Sequence, residues 1–233
     1  MARTALVTGA TGLVGSHIVD RLLEDGWNVR ALVRSPAPEL SSRGVEPCRG
    51  DILDVESFAR AADRCDAIFH TAAVITQSGN WEVYRRTNVD GTQNAIAAAE
   101  RSGARLLQLS SVAVYGDGRF RTDAGGKTIR TDEDTPLGPL SEDSFYARSK
   151  RESEALVLAA HDAGRIWATA VRPDVIYGTR DRQFVPRIAK ALRFGVTIAI
   201  DGARTILPIV HAANVADGAV LAALSDRAGG RAY

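Results

Sequence analysis

Apolar and polar positions along the chain follow two alternating rhythms. Short, nearly unbroken apolar runs occur at Thr4–Thr8, Asn28–Val33, Val45–Arg49, Ala67–His70, Leu106–Leu109, Trp167–Val171 and Thr205–Val210, the form expected of buried strands. Between them lie stretches of helical periodicity. Val14, Ile18, Val19, Leu22 and Leu23 repeat toward a stop near Gly26, and Val55–Ala62 forms a short helix. Further helices are expected over Trp81–Arg101, Ser144–Ala163, Phe184–Phe194 and Asn214–Leu224. Asn214, with Asp217 three residues later, fits a capping box for the last of these. Ser35–Ser42 is a Ser/Pro-rich connection, and Gly116–Pro139 is a long aperiodic stretch of the kind that carries function. The alternation predicts an α/β protein with a doubly wound, mostly parallel sheet covered by helices on both faces.

Composition narrows the class without naming a chemistry. The 233 residues carry 29 Lys+Arg against 28 Asp+Glu, a net charge of +1, with 45% hydrophobic residues. This is a globular composition, with no charge excess to imply a nucleic-acid or membrane-surface partner. Cys48 and Cys65 cannot build a disulfide framework, and two thiols with 4 His suggest no metal cluster. The start lacks a signal-peptide pattern and no run is long enough to span a bilayer, so a cytoplasmic protein is expected. Only three of the basic residues are lysines, so each lysine asks for a reason.

Candidate chemistry begins at Thr8-Gly9-Ala10-Thr11-Gly12-Leu13-Val14-Gly15, directly after a strand and opening a helix. Gly9 and Gly12 permit a tight turn, Gly15 permits close helix–sheet packing, and the helix N-terminus faces a pyrophosphate. A dinucleotide cofactor is therefore expected. An acidic side chain after the second strand commonly holds a free ribose 2′-hydroxyl, but no carboxylate occurs from Val29 to Pro38. Arg34 could instead pair with a 2′-phosphate, which favours NADP over NAD, or be an ordinary surface arginine. Asp51, with Ile52 beside it, could contact the adenine or cap the helix that follows.

Tyr146 and Lys150 lie four apart on one predicted helix face. An ammonium beside a phenol stabilises its ionised form, so the pair can exchange protons with an alcohol or carbonyl. Such pairs also occur on ordinary helices. Ser111, with Ser110 as its neighbouring competitor, ends a strand at the edge where parallel sheets bind ligands, and its hydroxyl can orient a reacting oxygen.

Taken together these segments resemble the extended short-chain dehydrogenase/reductase superfamily, the branch with sugar-nucleotide epimerases, dehydratases and 3β-hydroxysteroid dehydrogenases. Thr8–Gly15 matches its TGxxGxxG turn, Gly50-Asp51-Ile52 its adenine-contact segment, and Phe69–Ala73 the strand end lining the dinucleotide. Asn88–Thr92 matches NVxGT, Ser110–Gly116 matches SSxxVYG, Tyr146 and Lys150 match YxxxK, and Arg172–Gly178 matches RPxxxYG. The resemblance implies a Rossmann-type core over residues 1–173, with substrate-lobe segments over 174–233 interleaved with the last part of the core. It assigns catalytic roles to Ser111, Tyr146 and Lys150, with Asn88 structural and assisting a proton relay. It places Thr8, Gly9, Thr11, Gly12, Leu13, Val14, Gly15, Arg34, Asp51, Ile52, Thr71, Ala72, Ala73, Arg172 and Pro173, besides Tyr146 and Lys150, around NADP or NAD.

Within the branch, Val112 and Ala113 stand where a dehydratase has Asp-Glu, which disfavours elimination. Gly178–Pro186, Asp201-Gly202 and His211–Ala216 are closer to the hydroxysteroid dehydrogenase side, and Ile206-Leu207 replaces the Arg-Asp of sugar-nucleotide enzymes. An alcohol/ketone oxidoreductase is expected, with a 4-epimerase or a non-catalytic dinucleotide-binding protein as alternatives. Relatives commonly dimerise through two long helices, here 81–101 and 144–163. Extended members are longer than 233 residues, so the substrate lobe is expected to be short or cut off, with a strand just beginning at Gly229–Tyr233.

Overall fold

The computed structural model describes residues 2–75, 80–119, 131–195 and 208–233. Six parallel strands form the main sheet: β1 Thr4–Thr8, β2 Asn28–Val33, β3 Glu46–Arg49, β4 Ala67–His70, β5 Arg105–Leu109 and β6 Ala168–Val171. Their spatial order is β3-β2-β1-β4-β5-β6. The chain winds outward from β1 on one side and from β4 on the other, so the switch of direction falls between those two strands. In open parallel sheets the crevice beyond the carboxyl ends at such a switch is where ligands bind.

Helices cover both faces, and alternation within each strand decides which side chain meets which layer. Ala5, Val7, Phe69, Leu107 and Leu109 point into one core with α1 (Leu13–Glu24) and α8 (Ala212–Leu224). Leu6, Ile68, Leu106 and Ala168 point into the other, against α3 (Val55–Ala62), α5 (Gly91–Ser102) and α6 (Phe145–Asp162). The Ser/Pro-rich connection contains one short helical turn, α2 (Pro38–Ser41), begun by a proline whose fixed φ suits a first helical position.

Three elements depart from the expectations of pattern. The helix expected over Trp81–Arg101 is α4 (Trp81–Tyr84), a π-turn over Arg85–Asp90 and then α5. The last helix starts at Ala212 with His211 as its cap, its ring accepting from Ala213 N at 3.2 Å; Asn214 and Asp217 therefore lie inside the helix and form no capping box. Asp217 instead receives Arg21 Nη1 from α1 at 2.5 Å. A second, two-stranded parallel sheet pairs β7 (Val175–Tyr177) with β8 (Ile209–His211). The early part of the expected Thr205–Val210 strand, with Ile206-Leu207, and Asp201-Gly202 lie outside the described residues. An amphipathic helix, α7 (Phe184–Arg193), follows β7. The terminal segment meets β6 through an isolated parallel bridge between Ala232 and Ala170, with Tyr233 N donating to Ala170 O at 3.1 Å and Arg172 N to Tyr233 O at 2.6 Å.

Candidate active site

A cleft of about 800 Å³ opens over the carboxyl ends of β1 and β4. Its floor is the turn from Gly9 to Gly15. Gly9 has φ +71°, and a Cβ there would lie 2.8 Å from Thr71 Oγ1 and 2.9 Å from Ala72 N. A Cβ on Gly15 would lie 2.2 Å from Gly9 O. The helix cap, Gly12, offers no side chain to the first-turn N–H groups of α1, which are left for an acceptor in the cleft. Glycines in this arrangement form a cradle into which a pyrophosphate fits.

Thr11, Leu13, Val14, Arg34, Asp51, Ile52, Thr71, Ala72, Ala73 and Pro173 line the same cleft, as do Ser111, Tyr146 and Lys150. Arg34 is exposed at one end, where Glu39 of α2 also lines the wall. Arg30 is committed elsewhere, to Glu46 at 3.1 Å and to the carbonyl of Asp63 at 2.7 Å. Of the two roles open to Asp51, capping belongs to another residue: Asp54 accepts from Glu56 N and Ser57 N and caps α3. Asp51 Oδ1 accepts from Leu53 N at 2.9 Å in a local turn.

Three expected site residues are placed behind the cleft wall. Thr8 is fully buried; its hydroxyl meets His70 Nδ1 at 2.9 Å and accepts from Ala72 N at 3.2 Å, tying β1 to the end of β4. Asn88, in the π-turn, accepts from Val74 N at 2.8 Å and donates to Val74 O at 3.0 Å and Ser149 Oγ at 2.9 Å. Arg172 is turned away from the cleft. Its guanidinium grips Glu154 of α6 through Nε and Nη2 and donates from Nη1 to Tyr115 Oη at 2.7 Å. A bidentate carboxylate partner inside the protein outcompetes a ligand for that fork.

Ser111, Tyr146 and Lys150 come together in this cleft. The Ser111 hydroxyl, which accepts from Ala113 N at 3.2 Å, lies close enough to the Tyr146 phenol to bear on its ionisation, while the neighbouring Ser110 Oγ is buried without a partner. Ser110 and Ser111 both line the cleft. Burial pushes the Tyr146 phenol above its ordinary value, the nearby Ser111 hydroxyl opposes this, and Tyr84 adds to it. That net direction is opposite to the one expected from a Tyr–Lys pair. Lys150 Nζ donates to Leu109 O at 2.7 Å, and burial lowers Lys150 to about 8 while Glu154 acts against the shift. Pattern analysis missed Thr87 from the π-turn, and Arg180, Asp181 and Phe184 after β7, all of which line the cleft. Arg180 and Asp181 belong to a stretch with no periodic signal of its own, and Phe184 opens α7.

The model of the NAD dependent epimerase/dehydratase family matches residues 5–233. The chain belongs to that family. It is 34% identical over 220 residues to a 4-hydroxy-2-methyl-3-oxo-4-farnesyl-3,4-dihydroquinoline-1-oxide ketoreductase of Stigmatella aurantiaca, covering 93% of this chain and 63% of the relative. It is 34% identical over 229 residues to a 3 beta-hydroxysteroid dehydrogenase/Delta 5-->4-isomerase of Mycobacterium tuberculosis (strain CDC 1551 / Oshkosh), covering 94% of this chain and 59% of the relative. Among solved structures, a dTDP-glucose 4,6-dehydratase double mutant from Streptomyces venezuelae with NAD bound superposes with TM-score 0.80 at 27% identity, covering 98% of this chain and 74% of that one. The chain therefore spans about 60% of the length of these two curated relatives. Among the described residues, no helix is long and apolar enough to cross a membrane and no cluster of potential metal ligands occurs.

Proposed function

We propose that this protein is an NADP-preferring oxidoreductase that interconverts a ketone and a secondary alcohol, with Ser111, Tyr146 and Lys150 as its catalytic residues. The observation that carries this is one cleft lined by Ser111, Tyr146 and Lys150 together with the Gly9–Gly15 cradle. The bound nicotinamide would supply or accept the hydride. Ser111 and Tyr146 would donate hydrogen bonds to the substrate carbonyl oxygen, and the phenol proton would pass to that oxygen as it becomes an alcohol. A phenol held above its ordinary value keeps its proton until the oxygen becomes more basic. Lys150 would contribute positive charge near the phenolate that remains and a donor for the cofactor ribose.

Reduction of a carbonyl compound is favoured over elimination because Val112 and Ala113 supply no carboxylate after Ser111. The ketoreductase and hydroxysteroid dehydrogenase relatives are consistent with this side of the family. Arg34 supports a 2′-phosphate at the adenosine end, with Glu39 the group that would favour a free hydroxyl.

The test is NADPH and NADH oxidation over a panel of apolar ketones and 3-oxo acids, with UDP- and dTDP-sugars as a second panel. Wild type is expected to turn over the first panel, and Tyr146→Phe to lose at least about 100-fold in kcat with dinucleotide affinity retained. Turnover of sugar nucleotides alone, or equal loss of dinucleotide binding in the variant, would overturn the assignment. Arg34→Ala is expected to weaken NADPH binding by about tenfold and to spare NADH. Equal effects on both would remove the NADP preference.

A further inference from the structure

Behind the cleft wall, three charged or polar side chains far apart in sequence are fastened together. Glu154 and Arg172 form an ion pair with side-chain exposures of only 5% and 10%. Arg172 Nε lies 3.0 Å from Glu154 Oε2, and Nη2 lies 2.6 Å from Oε1. The remaining arm, Nη1, reaches Tyr115 Oη at 2.7 Å, and the guanidinium also lies 4.9 Å from that ring's centroid. Tyr115 in turn donates to Asp132 O at 2.9 Å.

Each member stands next to a residue of the proposed reaction. Glu154 is one helical turn beyond Lys150 on α6, and both are buried. Tyr115 ends the segment that begins at Ser111 and continues β5. Arg172 precedes Pro173, which lines the cleft and whose carbonyl accepts from Val112 N at 3.2 Å. A buried ion pair of this kind is a poor source of stability, since desolvation offsets most of its attraction. Its placement gives it another use.

We propose that Glu154 and Arg172 are positioning residues for the reaction assigned above: Arg172 holds the Ser111 segment against α6 and anchors the Glu154 carboxylate as the counter-charge one turn beyond Lys150. This rests on the proposed function. The electrostatic half can be measured without it. Lys150 is faced by His70 from β4, by the Leu109 carbonyl from β5 and by Glu154 on its own helix, with Arg172 beyond Glu154. Glu154 is the one carboxylate in that set, and burial alone would strip the proton from Lys150 well before an ordinary lysine loses it.

The chain has three lysines, Lys127, Lys150 and Lys190, so protein labelled with carbon-13 at lysine Cε gives three resolvable signals, with Lys150 assigned by Lys150→Arg. In the wild type the Lys150 signal is expected to titrate near pH 8. In Glu154→Gln it should titrate lower by about half a unit or more, and in Glu154→Asp by a smaller amount in the same direction. An unchanged Lys150 titration in a folded Glu154→Gln protein overturns the proposal. If both Glu154 variants fail to fold, the pair serves stability alone and the proposal is equally overturned. Arg172→Lys keeps the charge but loses the fork, and is expected to lower kcat for ketone reduction about tenfold with the KM for NADPH unchanged. A matched loss in both parameters would overturn the positioning role of Arg172. Absence of turnover in wild type, alongside a shifted Lys150 signal, would refute the assigned reaction and leave the Glu154–Lys150 coupling supported.

Discussion

Gly15 is the tightest point of the cradle: a Cβ there would come nearer to its surroundings than one on Gly9, at 2.8 Å from Thr71 Oγ1, or one on Gly12, at 3.1 Å from Gly9 O. The clash atoms include Gly9 O at 2.2 Å and Gly9 C at 2.7 Å, both backbone of the turn proposed to hold the pyrophosphate. Gly15→Ala is therefore expected to lower stability by about 1–3 kcal/mol and to weaken NADPH binding, read from urea midpoints and nucleotide fluorescence. Gly12 has φ −82° and would meet its nearest atom at 3.1 Å, so Gly12→Ala should be milder. Equal losses in the two variants would contradict this account of the floor. Such glycines are legible in sequence because their constraint is local, fixed by the strand before and the helix after. Arg172 is different. Its motif places it near the cleft, but what its guanidinium does depends on Glu154, 18 residues earlier, and Tyr115, 57 earlier. Glu154 did carry one signal, its position four after Lys150.

The π-turn between α4 and α5 shows what periodicity misses. One wider turn scarcely disturbs an apolar pattern averaged over twenty residues, yet it alters which side chains face the sheet. It buries Asn88 and brings Thr87 into the cleft. Asn88 then satisfies both backbone groups of Val74 and so holds one end of the segment lining the cleft after β4. Asn88→Ala would leave those two groups and Ser149 Oγ short of a partner. A stability loss of about 2–4 kcal/mol is expected from such orphaned groups, with faster amide exchange at Val74. Unchanged exchange there would show that the segment is held by something else. The parallel sheet and most of its covering helices were legible because the central strands β1, β4 and β5 are buried along nearly their whole length. The β7 strand was not, being three residues long and only half-buried on every one of them. The start of α8 was misread for a related reason: His211 caps as well as Asn214 would, and only the β8 pairing that precedes it fixes which residue leaves the extended conformation.

At the scale of the molecule, doubly wound topology forces a polar layer into the interior next to the cleft. The strands that deliver Gly9, Thr71 and Ser111 to the crevice must end in polar residues, and the last of these fall under the covering helices. His70 is the clearest case. It is buried at the switch between β1 and β4, with Nδ1 against Thr8 Oγ1 and Nε2 without a partner. Burial, reinforced by the charge of Lys150, pushes it down to about 3 from an ordinary 6.5. The folded protein therefore holds His70 neutral where the unfolded chain binds a proton, throughout the interval between those values. More protons on the unfolded state means stability that rises with pH. The contribution is complete above about pH 6.5 and is lost as pH falls toward 3. Lys150 gives the same sign in an alkaline window, from about 8 up to its ordinary 10.5, because burial disfavours its ammonium. The acid window is the easier one to isolate. His70→Gln keeps a polar group for Thr8 but has no proton to gain. Between pH 4 and 6, the wild-type stability from urea unfolding should fall more steeply than that of the variant, by about 1.4 kcal/mol per pH unit. Carboxylate titration contributes equally to both proteins and cancels in the difference. Parallel slopes would mean that His70 is protonated in the folded state across this range, and that the polar layer beneath the cleft is open to water.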